Sequence, residues 1–288
     1  MAGKKSAPKA PQVKLAEKIA KKLVAIDGVV AVTLGGSWAR GKADKSSDVD
    51  LGVYYRAQQK PHLDHLRALA REIDESDPPA VPTDFGEWGP WINGGAWLTV
   101  SGTRVDWIYR ELEHVVQTLS DCRAGRVTVD YQAGHPHGFH NHIYMAEIAL
   151  GVVLADPTGM LGKMQELARA YPDGLKRGIV ERHLWEASFS LDTVAKSAKR
   201  EDVAHVAGCV YRSAAALVQV LFALNGAWFT NEKGSVDATR KFELAPKRFA
   251  DRVEGVLGKT GTTASALAKS VEEMRALVDE THTLTEKA

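Results

Sequence analysis

Apolar residues recur at helical spacing at Leu15, Ile19, Leu23 and Val24, with lysines on the opposite face. The pattern predicts an amphipathic helix from Val13 to Ala25. Asp27-Gly28 is a turn signal. Val29 to Leu34 (VVAVTL) is β-branched and apolar, the composition of a buried strand. Gly35-Gly36-Ser37 breaks that strand, and Trp38 to Lys42 can start a short helix. Val49 to Tyr55 (VDLGVYY) reads as a second strand, Pro61 to Ile73 as a helix, and Ser76 to Pro82 as a Pro-rich loop. Ala96 to Val100 and Arg104 to Tyr109 read as two further strands joined at Ser101-Gly102. After about residue 130 helical periodicity takes over: Ile143 to Leu154, Gly162 to Ala170, Leu175 to Lys199, Val203 to Leu224 and Thr262 to the C-terminus. The expected fold is an α/β (α+β) domain with a small mixed sheet over residues 15–130, then an all-α helical bundle over residues 131–288.

Composition narrows the class. The 288 residues are 44% hydrophobic and 25% charged, a globular profile able to bury a core. A net charge of +1 argues against a polyanion binder over the whole surface. Cys122 and Cys209 stand far apart in no CxxC pattern, which fits a reducing cytoplasm and excludes a disulfide framework. No apolar run approaches a transmembrane length and the N-terminus has no signal-peptide core, so the expected setting is cytoplasmic with no membrane partner. Residues 1–14 carry Lys4, Lys5, Lys9 and Lys14 with no acid. They are expected to be a disordered, solvated basic tail; the sharper alternative is an arm touching nucleic acid.

The informative stretch is Leu34 to Tyr55, LGGSWARGKADKSSDVDLGVYY. A strand ends in Gly-Gly-Ser at the start of a helix. Glycines let backbone N–H groups approach an anion, and a helix N-terminus adds free donors. Ser37 adds a hydroxyl and Arg40 a positive charge, so Gly36, Ser37 and Arg40 form a candidate triphosphate cradle. No Gly-Lys-Ser/Thr follows, which excludes a Walker A loop. Asp48 and Asp50 are an i, i+2 pair on a strand, pointing to one face. Two such carboxylates repel unless a divalent cation neutralises them. Asp106, between apolar neighbours on a later strand, is the third candidate ligand. Three carboxylates beside a phosphate cradle suit Mg²⁺ and in-line phosphoryl attack.

Gly36-Ser37 followed by Asp48-Val49-Asp50 resembles the signature of the DNA polymerase beta-like nucleotidyltransferase superfamily, G-[GS]-x9–13-D-x-D. The surrounding GGSWARGKADKSSDVDLGVY is similar to the small prokaryotic and antibiotic nucleotidyltransferases. The resemblance implies Mg²⁺ (or Mn²⁺) as cofactor, an NTP as substrate with ATP first, and transfer of NMP to an acceptor hydroxyl. It implies a third carboxylate, for which Asp106 is the candidate. Phe85-Gly86-Glu87-Trp88 resembles a segment of the streptomycin/spectinomycin adenylyltransferases whose glutamate is the base. Glu87 and Asp106 are therefore both candidates for that role. Lys233, in Thr230-Asn231-Glu232-Lys233-Gly234, resembles the lysine that antibiotic nucleotidyltransferases place on the nucleotide phosphates.

The acceptor classes differ in what they ask of the protein. A small molecule such as an aminoglycoside wants acids, which Asp84, Glu87 and Asp130 can supply, and is the favoured expectation. A tRNA or protein acceptor, as in toxin-like members, and an inactive nucleotide-binding interaction module are the rivals; the intact aspartates argue against the last. Oligomeric state is not legible. Four histidines between His135 and His142 suggest zinc, but Pro136 and Gly138 make the segment read as an irregular linker lining a cleft between the domains. Among the tryptophans, Trp97 and Trp107 fall in strand patterns and are expected in the core.

Overall fold

The computed structural model describes residues 10–44 and 46–287. The first elements are α1 (Pro11–Val24), β1 (Val29–Leu34), α2 (Gly36–Ala39), β2 (Val49–Tyr55), α3 (Leu63–Ile73), β3 (Gly95–Val100) and β4 (Thr103–Glu111). Next come α4 (Leu112–Arg123), β5 (Val129–Asp130), β6 (Phe139–His140), α5 (His142–Leu150), β7 (Val152–Ala155) and α6 (Met160–Leu167). The rest is helical: α7 (Asp173–Asp192), α8 (Ala195–Lys199), α9 (Val203–Leu224), α10 (Ser235–Ala238), α11 (Phe249–Gly258) and α12 (Ala264–Thr285). The chain forms two compact units. One runs to Leu119 and takes up Glu147–Arg169; the other holds Ser120–Ala146 and everything from Ala170. The expected boundary was at residue 130; this division falls earlier, within α4, and a later segment returns to the first unit.

The first unit is built on a mixed sheet of order β3-β4-β2-β1-β7. β2 and β4 are parallel; the other neighbours are antiparallel. Period-two alternation gives the sheet one apolar face. Val49, Leu51 and Val53 of β2, Val105 and Trp107 of β4, and Ala96 and Leu98 of β3 form one core with Ala16, Ile19 and Leu23 of α1 and Leu66 of α3. Ser101 and Gly102, both at positive φ, make the tight β3–β4 turn, the conformation whose twist matches a two-residue hairpin.

Three expectations are corrected here. Residues 11–14 belong to α1, which starts at Pro11; proline suits a first turn because its missing N–H would have no intrahelical acceptor. Lys4, Lys5 and Lys9 of the basic tail lie outside the described residues. The expected helix over 143–154 ends at Leu150, and Val152–Ala155 instead pairs with β1 through Thr33↔Val153 and Leu34↔Val152. Gly151 interrupts the helix, and an open edge beside β1 rewards two valines with ladder hydrogen bonds. Trp97 is 65% exposed, whereas Trp107 is fully buried. In GAWLTV, the alternation places Ala96, Leu98 and Val100 inward and Trp97 on the opposite face.

On that opposite face Arg110 is buried and makes a two-pronged pair with Glu147 of α5, Nε to Oε2 at 2.8 Å and Nη2 to Oε1 at 2.8 Å. Removing one partner of a buried pair leaves an uncompensated charge and costs about 3–5 kcal/mol. Glu147 retains some solvent contact, so the low end applies. Glu147→Ala is expected to destabilise the chain by about 3 kcal/mol, read as a lower melting temperature; an unchanged midpoint would show the guanidinium is adequately held by the Ile92 and Tyr109 carbonyls it also contacts.

In the second unit α7, α9 and α12 pack on one another. Asp202 caps α9 by accepting from the His205 amide at 3.2 Å, and Asn225 closes it by donating to the Leu221 carbonyl at 2.8 Å. The expectation that no apolar run approaches a transmembrane length is corrected: α9 is long and apolar enough to cross a membrane by length and composition, and 67% of its apolar window is buried inside the structure. The predicted single helix over 175–199 is broken at Thr193, whose hydroxyl donates to the Ser190 carbonyl at 3.2 Å. The His135–His142 segment is no linker: His140 lies on β6, paired with Val129, and His137, His140 and His142 are buried. All belong to the second unit.

Candidate active site

The site begins where β1 ends. Gly35 donates its amide to the Asp50 carbonyl at 2.8 Å, stitching the end of β1 to β2. Gly36 follows at φ +58, in the left-handed region. A Cβ built there would fall 1.7 Å from Asp50 Oδ2 and 2.7 Å from Asp50 Cγ. The glycine therefore removes a side chain both from a strained backbone and from space that the Asp50 carboxylate occupies. Gly36 and Ser37 open α2, where the first amides of a helix have no intrahelical acceptor. Arg40 closes that turn, its Nε donating to the Gly36 carbonyl at 3.1 Å. Gly36, Ser37 and Arg40 thus share one turn beside Asp50.

The loop from Gly41 to Asp48 is shaped by Asp44. Its Oδ1 accepts from the Ser46 amide at 2.8 Å and hydroxyl at 2.6 Å, and Ser47 Oγ accepts from the Asp44 amide at 3.0 Å. The Ser46 hydrogen bonds hold the Asp44 carboxyl below its ordinary range. Trp38 Nε1 donates to the Ser47 carbonyl at 3.2 Å, fastening the loop to α2 just before Asp48.

The tertiary contribution is the register of β2 on β4. These strands are parallel, and Asp50 stands opposite Asp106. Parallel neighbours are about 4.8 Å apart and registered side chains share a face, so the two carboxylates are adjacent, on the face opposite the core. Two unit charges at that spacing repel by about 3 kcal/mol at an effective dielectric constant of about 20. A cation that both carboxylates share converts that cost into attraction. The donor set is all carboxylate oxygen, the preference of Mg²⁺ and Mn²⁺. Donor type, register and the side-chain-free Gly36 fit a hard divalent ion.

Trp97 pairs with Asp106 from the other side, in the register of β3 on β4. Its exposed ring stacks on Trp88, centroids 4.5 Å apart and planes 18° apart. Sequence reasoning placed Trp97 in the core; the strand's period-two pattern was the signal that could have put it beside the aspartates. The loop bearing Glu87 is anchored below this pair. Phe85 packs against Tyr55 and Tyr109 at 4.6 and 4.8 Å, and the Asn93 side chain accepts from the Gly86 amide and donates to Tyr55 Oη. Burial pushes both tyrosine hydroxyls above their ordinary range. Glu87 is exposed, and one of its oxygens accepts from the Asp84 amide at 2.9 Å, while Asp84 pairs with Arg67 at 2.7 Å. Lys233 belongs to the second unit, on an exposed turn ahead of α10, its amide held by Asn231 Oδ1 at 3.0 Å.

Residues 16–96 match the family model of the nucleotidyltransferase domain, and residues 140–233 match a domain of unknown function (DUF4037). No curated protein matches the chain. Among solved structures, a nucleotidyltransferase-like protein from Exiguobacterium sibiricum 255-15 superposes with a TM-score of 0.47 at 8% identity, covering 95% of this chain and 78% of that one. The strand–Gly-Ser–helix–DxD arrangement lies inside the matched residues, so over residues 16–96 the chain carries a nucleotidyltransferase domain of the polymerase beta-like kind.

Proposed function

We propose that the chain transfers a nucleoside monophosphate from an NTP, ATP first, to a hydroxyl of a small molecule such as an aminoglycoside. The observation that carries the transfer is the Asp50–Asp106 register beside the Gly36–Ser37 turn. In this reading Asp48, Asp50 and Asp106 hold Mg²⁺ or Mn²⁺. The ion, when bound, supplies positive charge to the phosphates and makes the acceptor hydroxyl more acidic. Ser37, the amides at the start of α2 and Arg40 hold the β- and γ-phosphates and so fix the α-phosphorus for in-line attack. The acceptor oxygen bonds to the α-phosphorus, pyrophosphate leaves, and the hydroxyl proton passes to a carboxylate. Glu87 and Asp106 can both accept it. If Glu87→Gln lowers kcat and removes the acidic limb of its pH profile, Glu87 is the base; unchanged kinetics assign the proton to Asp106. A cytoplasmic setting belongs to the same proposal, supported by two free cysteines.

A small acceptor is supported by the stack of Trp88 on the exposed Trp97 at the Asp106 register, with Trp88, Asp84 and Glu87 on the same loop. Sugar rings pack on indole faces, and amino groups pair with carboxylates. One observation favours a second reading, a nucleic-acid acceptor. In the second unit Trp185 and Phe189 are stacked 5.0 Å apart and exposed, lining a cavity of about 870 Å³ with Arg126, Arg182 and Arg212. Aromatic platforms among arginines suit single strands. Incubating the protein and a cell extract with NTPs labelled at the α-phosphate separates the readings. Label that survives both nuclease and protease supports the small molecule; label lost to RNase alone supports the second.

Ser37→Ala and Arg40→Ala are expected to weaken NTP binding by about 1.5–3 kcal/mol each, while NMP binding changes little. Calorimetry with Mg²⁺ present checks this, and equal losses for both nucleotides would move these residues away from the β/γ end. The role given to Lys233, an added cation for the triphosphate, rests on the sequence resemblance and is tested separately. Lys233→Ala is expected to raise KM for NTP at an unchanged melting temperature, and wild-type kinetics would remove it from the assignment.

A further inference from the structure

The second unit carries a polar cluster that nucleotidyl transfer does not use. His140 on β6, His142 at the start of α5 and His183 on α7 converge, each offering a ring nitrogen within 4.8 Å of the others. All three are buried, with at most 2% exposure. Both nitrogens of His140 and of His183, and Nε2 of His142, have no hydrogen-bond partner. Buried polar atoms are almost always paired, and several orphans in one place call for an explanation. Phe229 walls the cluster, its ring 5.7 Å from His140 and 6.0 Å from His142. Apolar packing alone would be better served by apolar side chains.

We propose that His140, His142 and His183 form a binding site for a divalent transition-metal ion of the zinc class. Zn²⁺ binds imidazole nitrogen at about 2.0–2.1 Å, which puts tetrahedral ligand atoms about 3.4 Å apart. Side-chain rotations of about an ångström close the observed spacing to that value. Imidazole selects the Zn, Cu, Ni and Fe group over Mg²⁺ and Ca²⁺, which prefer oxygen.

The surroundings match a metal centre's outer layer. Glu186, one turn along α7, places Oε2 3.6 Å from His183 Nδ1 and Oε1 3.5 Å from His137 Nε2, and Arg212 holds the same carboxylate at 2.5 Å. A carboxylate facing one ring nitrogen, close enough to bond it after a small movement, favours the tautomer that leaves the other nitrogen for the metal. Glu186 is thus a positioning residue. His137 is the next imidazole, its ring 5.1 Å from that of His140; it lines a cavity of about 450 Å³ with Arg212. Three protein ligands leave a fourth position, the pattern of reactive zinc centres.

The test uses the full-length chain without a polyhistidine tag, stripped with chelator and titrated with Co²⁺ in excess Mg²⁺ to occupy the carboxylate site. One equivalent of Co²⁺ with the strong visible bands of four-coordinate nitrogen ligation, displaced by Zn²⁺, is the expected result. His140→Gln and His183→Gln should abolish the bands, Glu186→Gln should weaken binding about 10- to 100-fold, and the exposed His282→Gln should change nothing. Absence of the bands in the wild-type chain, or their persistence in both histidine variants, would overturn the proposal. Where those variants fail to fold by circular dichroism, X-ray absorption of the wild-type Co²⁺ protein decides. Three or more imidazole ligands support the site, and oxygen ligation alone overturns it.

Discussion

Asp50→Asn is expected to reduce NMP transfer at least about thousandfold while leaving the protein folded. Neutralising Asp50 removes one of the two registered carboxylates proposed to hold the metal. Metal-ion charge stabilisation of a phosphoryl transition state is worth several kcal/mol, and about 4 kcal/mol corresponds to that thousandfold. Stability runs the other way. Without metal, Asp50 and Asp106 are like charges on neighbouring strands, and Asn relieves their repulsion while keeping the shape. The metal-free variant should therefore melt no lower than wild type, and added Mg²⁺ should raise its melting temperature less. Two measurements check this: label transfer from an α-labelled NTP, and thermal melts with and without Mg²⁺. Undiminished transfer by Asp50→Asn would remove Asp50 from the metal site; a large loss of metal-free stability would make it a structural residue.

Gly36→Ala should be nearly as damaging, by a different route. The added Cβ would lie 1.7 Å from Asp50 Oδ2, so the carboxylate must move. What it meets is the end of a flexible side chain rather than backbone, so the fold survives. The left-handed φ of +58 adds about 1–2 kcal/mol of strain for a residue with a Cβ. A modest fall in melting temperature should accompany a loss of transfer of about a hundredfold or more, since displacing a catalytic group by an ångström is worth about that much. Gly102→Ala is the control. It has a similar φ of +68, but nothing lies within 4 Å of its Cβ, so it should show the same strain with full activity. Equal activity in the two variants would mean that Gly36 serves the turn and not the carboxylate.

These two residues show how the site was legible. Gly36, Ser37, Asp48 and Asp50 lie within one short stretch, and the chemistry proposed for them rests on local rules: a strand, a glycine break, a helix start, and an i, i+2 pair. Asp106 was reachable because a carboxylate among strand-forming apolar residues needs a reason. Trp97 was misplaced, because its strand was read for composition rather than for its two faces. The histidine segment was misread for a deeper reason. Pro136 and Gly138 do make it irregular, but His183, which completes the cluster, comes from a helix far along the chain, and no local pattern announces it.

The sequence by itself determined the elements whose apolar periodicity is complete within one segment: α1, β1, β2, α3, the β3–β4 hairpin and the long helices α7, α9 and α12. It also placed Gly36, Ser37 and Asp50 at the junction of β1, α2 and β2, which local break and strand signals specify; Asp48, expected on the strand, falls just before β2. Only the tertiary structure decided what depends on pairing between distant segments. The parallel register puts Asp106 opposite Asp50, and β7 leaves a predicted helix to cover the edge of β1. The polar sheet face carries Trp97 beside the aspartates, and β6, α5 and α7 bring three histidines together. Local propensity for these segments is weak or ambiguous. Their conformation was settled by ladder hydrogen bonds and burial that exist only once the neighbours are in place.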